Sequence, residues 1–132
     1  MSKISGKETK PEILVRKFLF ANGFRYRKND KRYPGKPDIV LPKYRTIVFI
    51  NGCFWHGHQN CKKALLPESN IEFWEKKILQ NIKRDKNNYK VLESLGWNVI
   101  VLWQCKLSNV KIADKTLRKL KIDIESNYES NG

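Results

Sequence analysis

The segment Cys53-Phe54-Trp55-His56-Gly57-His58-Gln59-Asn60-Cys61 gathers two of the chain's three cysteines and both of its histidines into nine residues. Thiolate sulfur with imidazole nitrogen selects zinc, and a closed structural site takes four such ligands. Cys53, Cys61 and one histidine supply three. Cys105, the remaining cysteine, stands just past an apolar run and could complete a Cys₃His set. Taken alone it reads equally well as a small buried residue. A tetrahedral site needs one histidine, so either His56 or His58 is left over. The spare imidazole is either a solvent-exposed bystander or a group for general acid–base chemistry, since it titrates near neutrality. Spacing does not choose between the two.

Asp38 follows Pro37 and opens the apolar run Ile39-Val40-Leu41. Phosphodiester hydrolysis uses a hard cation held by carboxylate oxygen near the scissile phosphate. A Pro-Asp at the start of a buried strand is how nucleases of the PD-(D/E)XK type begin their site, although Pro-Asp is also a common turn pair. The Glu-x-Lys that usually follows is missing, because Ile47-Val48-Phe49-Ile50 contains no ionisable group. Nuclease chemistry here would fall to His56 and its neighbours.

Several elements must position these residues. Thr9-Lys10-Pro11-Glu12 reads as a capping box opening a helix from about Lys10 to Asn22, with Gly23 as its left-handed stop. Phe24–Arg27 alternates like a short strand, and Lys28–Lys36 reads as a basic loop. Asp38–Leu41, a turn at Pro42–Tyr44 and Thr46–Ile50 form a hairpin of two largely buried strands. Asn51–Cys61 is too rich in Gly, Cys and His to be regular, and Lys62–Pro67 is a loop. Ser69-Asn70-Ile71-Glu72 is a second capping box for a long helix to about Leu95, stopped by Gly96. Its apolar face carries Trp74, Ile78, Ile82, Tyr89 and Leu92. Trp97–Trp103 is a further strand with its tryptophans in the core, and Leu117, Leu120 and Ile124 mark a terminal amphipathic helix. The order α-β-β-β-(metal loop)-α-β-α predicts a mixed α/β fold around a central sheet.

Composition narrows the partner. The 132 residues are 40% hydrophobic, enough for one folded domain spanning 1–132. Lys plus Arg total 27 against 13 Asp plus Glu, a formal charge of +14. That excess repels itself unless a polyanion is near, which favours nucleic acid over an anionic membrane. The longest apolar runs are strand-length, so no membrane span is expected. Met1-Ser2-Lys3-Ile4 opens no signal-type segment, and three cysteines argue against a disulfide framework. The expectation is a cytoplasmic, nucleoid-associated protein with reduced thiols.

Pro34-Gly35-Lys36-Pro37-Asp38-Ile39-Val40, Val48–Gly57 with its Gly-Cys-Phe-Trp-His block, Phe73–Ile78, Asn81–Asp85 and Leu95–Val99 together resemble the very-short-patch repair (Vsr) DNA mismatch endonucleases, in register over roughly residues 5–107. The resemblance implies a restriction-endonuclease-like fold with a structural Zn²⁺. It also implies Mg²⁺-dependent nicking of one strand of double-stranded DNA, 5′ of the mispaired thymine in a T·G mismatch, by a monomer. Position by position, Asp38 is similar to the family's Mg²⁺-binding aspartate and His56 to its catalytic histidine. Cys53, His58, Cys61 and Cys105 are similar to its zinc ligands. Glu12 falls where the family has an active-site glutamate, and serves equally as the capping-box partner of Thr9. Phe54, Trp55 and Trp74 match residues that wedge into the DNA stack. The basic residues of 25–36 and 76–90, Lys83 and Arg84 among them, are expected on phosphates.

The departures from the family pattern concern the site. Asn51 stands where some members have a second histidine; it can hydrogen-bond water or phosphate but cannot transfer a proton near neutrality. Ile50 replaces a polar residue of some members, so only its backbone carbonyl could contact Mg²⁺. One extra residue separates His58 from Cys61, and the N-terminal arm is short. Two rivals follow: a restriction-type endonuclease cutting matched duplex at a short site, and a zinc-stabilised DNA-binding module without catalysis.

Overall fold

The computed structural model describes residues 11–28, 31–58, 61 and 65–131. In chain order they form α1 (Pro11–Ala21), β1 (Arg27–Lys28), β2 (Ile39–Leu41), a 3₁₀ turn (Pro42–Tyr44), β3 (Thr46–Asn51), α2 (Ile71–Ser94), β4 (Asn98–Trp103), a second 3₁₀ turn (Gln104–Leu107) and α3 (Val110–Asn131). The strands make one sheet in the order β1-β2-β3-β4, mixed in sense. β1–β2 and β2–β3 are antiparallel, whereas β3–β4 is parallel and bridged by α2.

Strand alternation sorts the apolar residues onto two faces. Ile39, Leu41, Val48 and Leu102 join Val15 and Leu19 of α1 and Leu117, Leu120 and Ile124 of α3 in one core. Val40, Ile47 and Phe49 face the other way and pack with Leu92 of α2, flanked by Tyr89, Val99 and Val101. The sheet is therefore covered by helices on both faces, and β3 reads Ile-Val-Phe-Ile without polar interruption because both faces are buried. Burying such a side chain contributes about 1.5–3 kcal/mol.

The predicted order of elements holds, with two local corrections. Phe24 is not the start of a strand. It closes α1: its N–H bonds Leu19 O at 3.0 Å and the Gly23 N–H bonds Phe20 O at 3.0 Å. This is a Schellman stop with Gly23 at φ +81°, and it turns Phe24 into the core beside Leu19. The strand begins only at Arg27. The second capping box does not form either. Asn70 takes the N-cap position in a left-handed conformation with no side-chain cap bond, which Asn tolerates better than most residues. The helix thus starts one residue later than Ser69 would set it, and Glu72 misses the position that reaches back. The first capping box falls on Thr9 and Lys10, outside the described residues.

Candidate active site and metal cluster

The loop after β3 carries both candidate sites, and Gly57 separates them. It adopts φ +60°, and a Cβ there would stand 2.6 Å from Ile82 Cδ1 and 2.7 Å from Ile78 Cγ2. Only glycine lets the loop turn this way while lying against α2. The turn sends its two neighbours apart. His58 goes to the cysteines: its Nδ1 is 3.4 Å from Cys105 Sγ, and its ring stacks on Trp103 at 4.2 Å and 7°. His56 goes to α2, where its Nδ1 meets Asp85 Oδ2 at 2.5 Å.

Ligand atoms of Cys53, His58, Cys61 and Cys105 all lie within 4.8 Å of one another. Atoms on a tetrahedral zinc, about 2.0–2.3 Å from the metal, stand roughly 3.3–3.8 Å apart, so closing the widest pair by about 1 Å would fit the set to such an ion. The donor chemistry agrees. Burial, then hydrogen bonding and charge from Cys53 and Cys61, push the Cys105 thiol up to about 11. A thiol crowded in this way resists ionising unless a cation sits beside it. Burial and Lys106 lower the His58 pKa, favouring the neutral imidazole that binds metals. The cluster contains His58 and not His56, a distinction that spacing left open.

His56 lines a cavity of about 530 Å³ together with Lys36, Asp38, Ile50, Asn51, Arg84, Asp85 and Asn88. Asp38 Oδ2 accepts the Ile50 N–H at 2.6 Å, which ties the carboxylate to β3. Its pKa is raised: burial dominates, the Ile50 bond opposes it, Glu12 adds a smaller repulsion, and Arg16 and His56 pull it down. A half-buried carboxylate with a second carboxylate in range is a hard-oxygen environment that a divalent cation relieves. The side chains of His56 and Asp85 are 25% and 14% exposed, so their pairing is partly shielded from solvent. Asp85 fixes the proton of neutral His56 on Nδ1, leaving Nε2 as the basic nitrogen. A cavity of about 590 Å³ between α1 and α3 is slightly larger, but its lining includes Asp114 and no imidazole.

Phe54, Trp55 and Trp74 meet in one cluster, with ring centroids 5.1–5.6 Å apart in edge-on pairs. Trp55 is 51% exposed. The Asn81 amide donates to Trp55 O at 2.9 Å, pinning the loop to α2. Phe73, 60% exposed, extends the cluster. Trp97 and Trp103, expected in the core, are half-buried. Trp97 lies under the Arg45 guanidinium, and Trp103 backs His58. Lys83 is exposed on α2, one residue before Arg84 at the cavity wall. Asp85, Asn81, Phe73 and the Tyr89 hydroxyl were missed as site residues by sequence reasoning. A signal existed for three of them: Asn81, Asp85 and Tyr89 fall at spacings of four along the inward stripe of α2, where a polar residue needs a partner.

The fold and these side chains define a basic α/β protein with a metal-type Cys/His cluster beside a cavity that pairs a carboxylate with an oriented imidazole. Residues 1–63 match the family model described as DNA mismatch endonuclease Vsr. The chain is 58% identical over 125 residues to the type II nicking enzyme V.NmeAIP of Neisseria meningitidis, covering 95% of this chain and 89% of that protein. It is 42% identical over 120 residues to the type II nicking enzyme V.XorIIP of Xanthomonas oryzae, covering 91% and 88%. It is 36% identical over 118 residues to the DNA mismatch endonuclease Vsr of Escherichia coli, covering 89% and 75%. The chain belongs to the Vsr family of endonucleases.

Proposed function

We propose that this protein is a single-domain, Mg²⁺-dependent DNA endonuclease that nicks one strand 5′ of the mispaired thymine at a T·G mismatch, on a fold of the PD-(D/E)XK type. The observation that carries the reading is the shared cavity of Asp38 and the Asp85-bound His56. Family membership favours strand nicking over a decayed DNA-binding module. Asp38, with the Ile50 carbonyl, would hold Mg²⁺, which supplies Lewis-acid polarisation of the scissile phosphate when bound, and Glu12 supports His56. His56 moves a proton through Nε2, the nitrogen that Asp85 leaves free. Asn51 is a hydrogen-bonding group in the cavity wall.

Cys53, His58, Cys61 and Cys105 would hold a structural Zn²⁺ that fastens the loop after β3 to the end of β4. Phe54, Trp55 and Trp74 enter the base stack, where unstacking costs least at a mispair, so a wedge converts weak pairing into selectivity. Arg84, Lys83 and Lys36 contact phosphates and contribute affinity without sequence information. The protein acts as a monomer on double-stranded DNA inside the cell. No helix of the described residues is long and apolar enough to cross a membrane.

The test is nicking of an end-labelled duplex bearing one T·G pair, with and without Mg²⁺, with the cut mapped to the nucleotide. A single Mg²⁺-dependent nick 5′ of the mispaired thymine is expected. Cuts in both strands of matched DNA at a short site would favour the restriction-type alternative.

A further inference from the structure

Asn51 ends β3 and is 4% exposed, yet it forms part of the wall between two cavities. One is the 530 Å³ space that contains Asp38. The other, of about 300 Å³, is lined by His58, Ile82, Lys86, Tyr89 and Trp103 among others. Asn51, His56 and Asp85 border both. The Asn51 carboxamide donates through Nδ2 to the Tyr89 hydroxyl at 2.9 Å. A carboxamide has one donating end and one accepting end, so holding Nδ2 on Tyr89 determines which end is left. Among the described residues, Arg16 Nε is the sealed side-chain polar atom with no partner. Asn51 Oδ1 is not such an atom, and its residue lines both cavities.

Tyr89 is itself held in place. Its ring packs on Phe49 at 4.9 Å, and it lies one helical turn beyond Asp85 on the same stripe of α2. Burial, together with the Asp85 and Asp38 carboxylates, raises its pKa, so the phenol remains neutral and protonated around pH 7. Consecutive turns of α2 thus present Asp85 to His56 and Tyr89 to Asn51. The first pairing fixes the nitrogen that moves a proton. The second has no such proton to place, because an amide does not titrate near neutrality; what it can fix is the direction of an acceptor.

We propose that Tyr89 is a positioning residue of the nuclease site, holding the Asn51 carboxamide so that Oδ1 accepts a hydrogen bond from the water that attacks the phosphodiester. The proposal rests on the nuclease reading above. A single oriented acceptor matters because displacing a reacting group by about 1 Å can cost about 10²-fold in rate. Asn51→Ala is expected to lower kcat about 10²-fold. Tyr89→Phe, which deletes only the hydroxyl and keeps the ring on Phe49, is expected to lower it about 10-fold.

The experiment is a double-mutant cycle on the full chain, nicking the T·G duplex with Mg²⁺ and reading kcat, KM and equilibrium DNA binding for Asn51→Ala, Tyr89→Phe and the pair. If Tyr89 acts through Asn51, the double variant is no slower than Asn51→Ala alone, and Tyr89→Phe changes kcat while KM and binding stay as in the parent. Losses that multiply would overturn the proposal, as would a Tyr89→Phe variant at full rate or one altered only in KM or binding. These results leave the nuclease reading standing, because the parent still nicks. A parent protein that binds the duplex but never nicks it overturns both.

Discussion

Replacing Asp38 by asparagine separates what the carboxylate does for catalysis from what it does to the fold. Asp38 carries a raised pKa, mainly from burial, with Glu12 adding to it. The native state therefore holds that proton more tightly than the unfolded chain, whose value is 3.8. A raised carboxyl pKa makes its stabilising contribution below the unfolded value and loses it as pH rises through the folded value. At neutral pH, with no added Mg²⁺, the charge is a net destabiliser, worth about 1.4 kcal/mol for each tenfold rise in proton affinity. Asp38→Asn removes that charge, and its amide oxygen can still accept the Ile50 N–H now bonded at 2.6 Å. The variant should melt no lower than the parent without Mg²⁺ at pH 7, and higher by about 4 °C per kcal/mol relieved. Its advantage should vanish as the pH is lowered below 3.8. Nicking tells the opposite story. On the proposed reading the variant loses the charge that anchors Mg²⁺, which removes several kcal/mol of transition-state stabilisation, and about 4 kcal/mol is a 10³-fold loss. Calorimetry and single-turnover nicking on one preparation check both. A variant that melts well below the parent, or that nicks at the parent rate, refutes the reasoning.

Asp85→Asn keeps the shape at His56 Nδ1 but removes the charge that orients the ring; nicking should fall about 10²–10⁴-fold with zinc content unchanged, and a full rate would dismiss the pairing. Cys105→Ser should lose the metal and much of the folded state, so elemental analysis finding one zinc in a folded Cys105→Ser variant would contradict the four-ligand set. Gly57→Ala forces a Cβ to within 2.6 Å of Ile82 at positive φ; it should destabilise by about 1–3 kcal/mol, and an unchanged melting temperature would show that the loop does not need this turn. Alanine at both Phe54 and Trp55 should erase the preference for mismatched DNA while sparing salt-sensitive nonspecific binding, and a folded, zinc-loaded variant that still discriminates would remove the wedge.

The architecture could be read from the chain wherever one periodicity ruled. The uninterrupted apolar run of β3 and the spaced leucines of α3 are buried as their patterns imply. Local rules failed where two signals competed. Phe24 has strand-like neighbours, but the glycine before it stops α1 and recruits it to the core. Ser69 and Glu72 have capping-box spacing, but Asn70 turns left-handed and takes the cap. Residue types singled out the cysteines, which cluster with His58, and Asp38, which lines the cavity. The allocation of the two histidines depended on the Gly57 turn, a matter of φ and of contact with α2 rather than of spacing. Asp85 was hidden because a polar residue on a long basic helix looks like solvated surface until its face is known, and Tyr89 was placed on the apolar face with no task for its hydroxyl.

The central claim, that a mispair is what the enzyme selects, is tested most directly by single-turnover nicking of two duplexes that differ at one base. One carries T·G and the other T·A, with protein in excess, Mg²⁺ present and the same salt. The expected result is rapid cutting of the thymine strand in the T·G duplex alone, with similar salt-dependent binding to both. Equal rates on the two duplexes would contradict it.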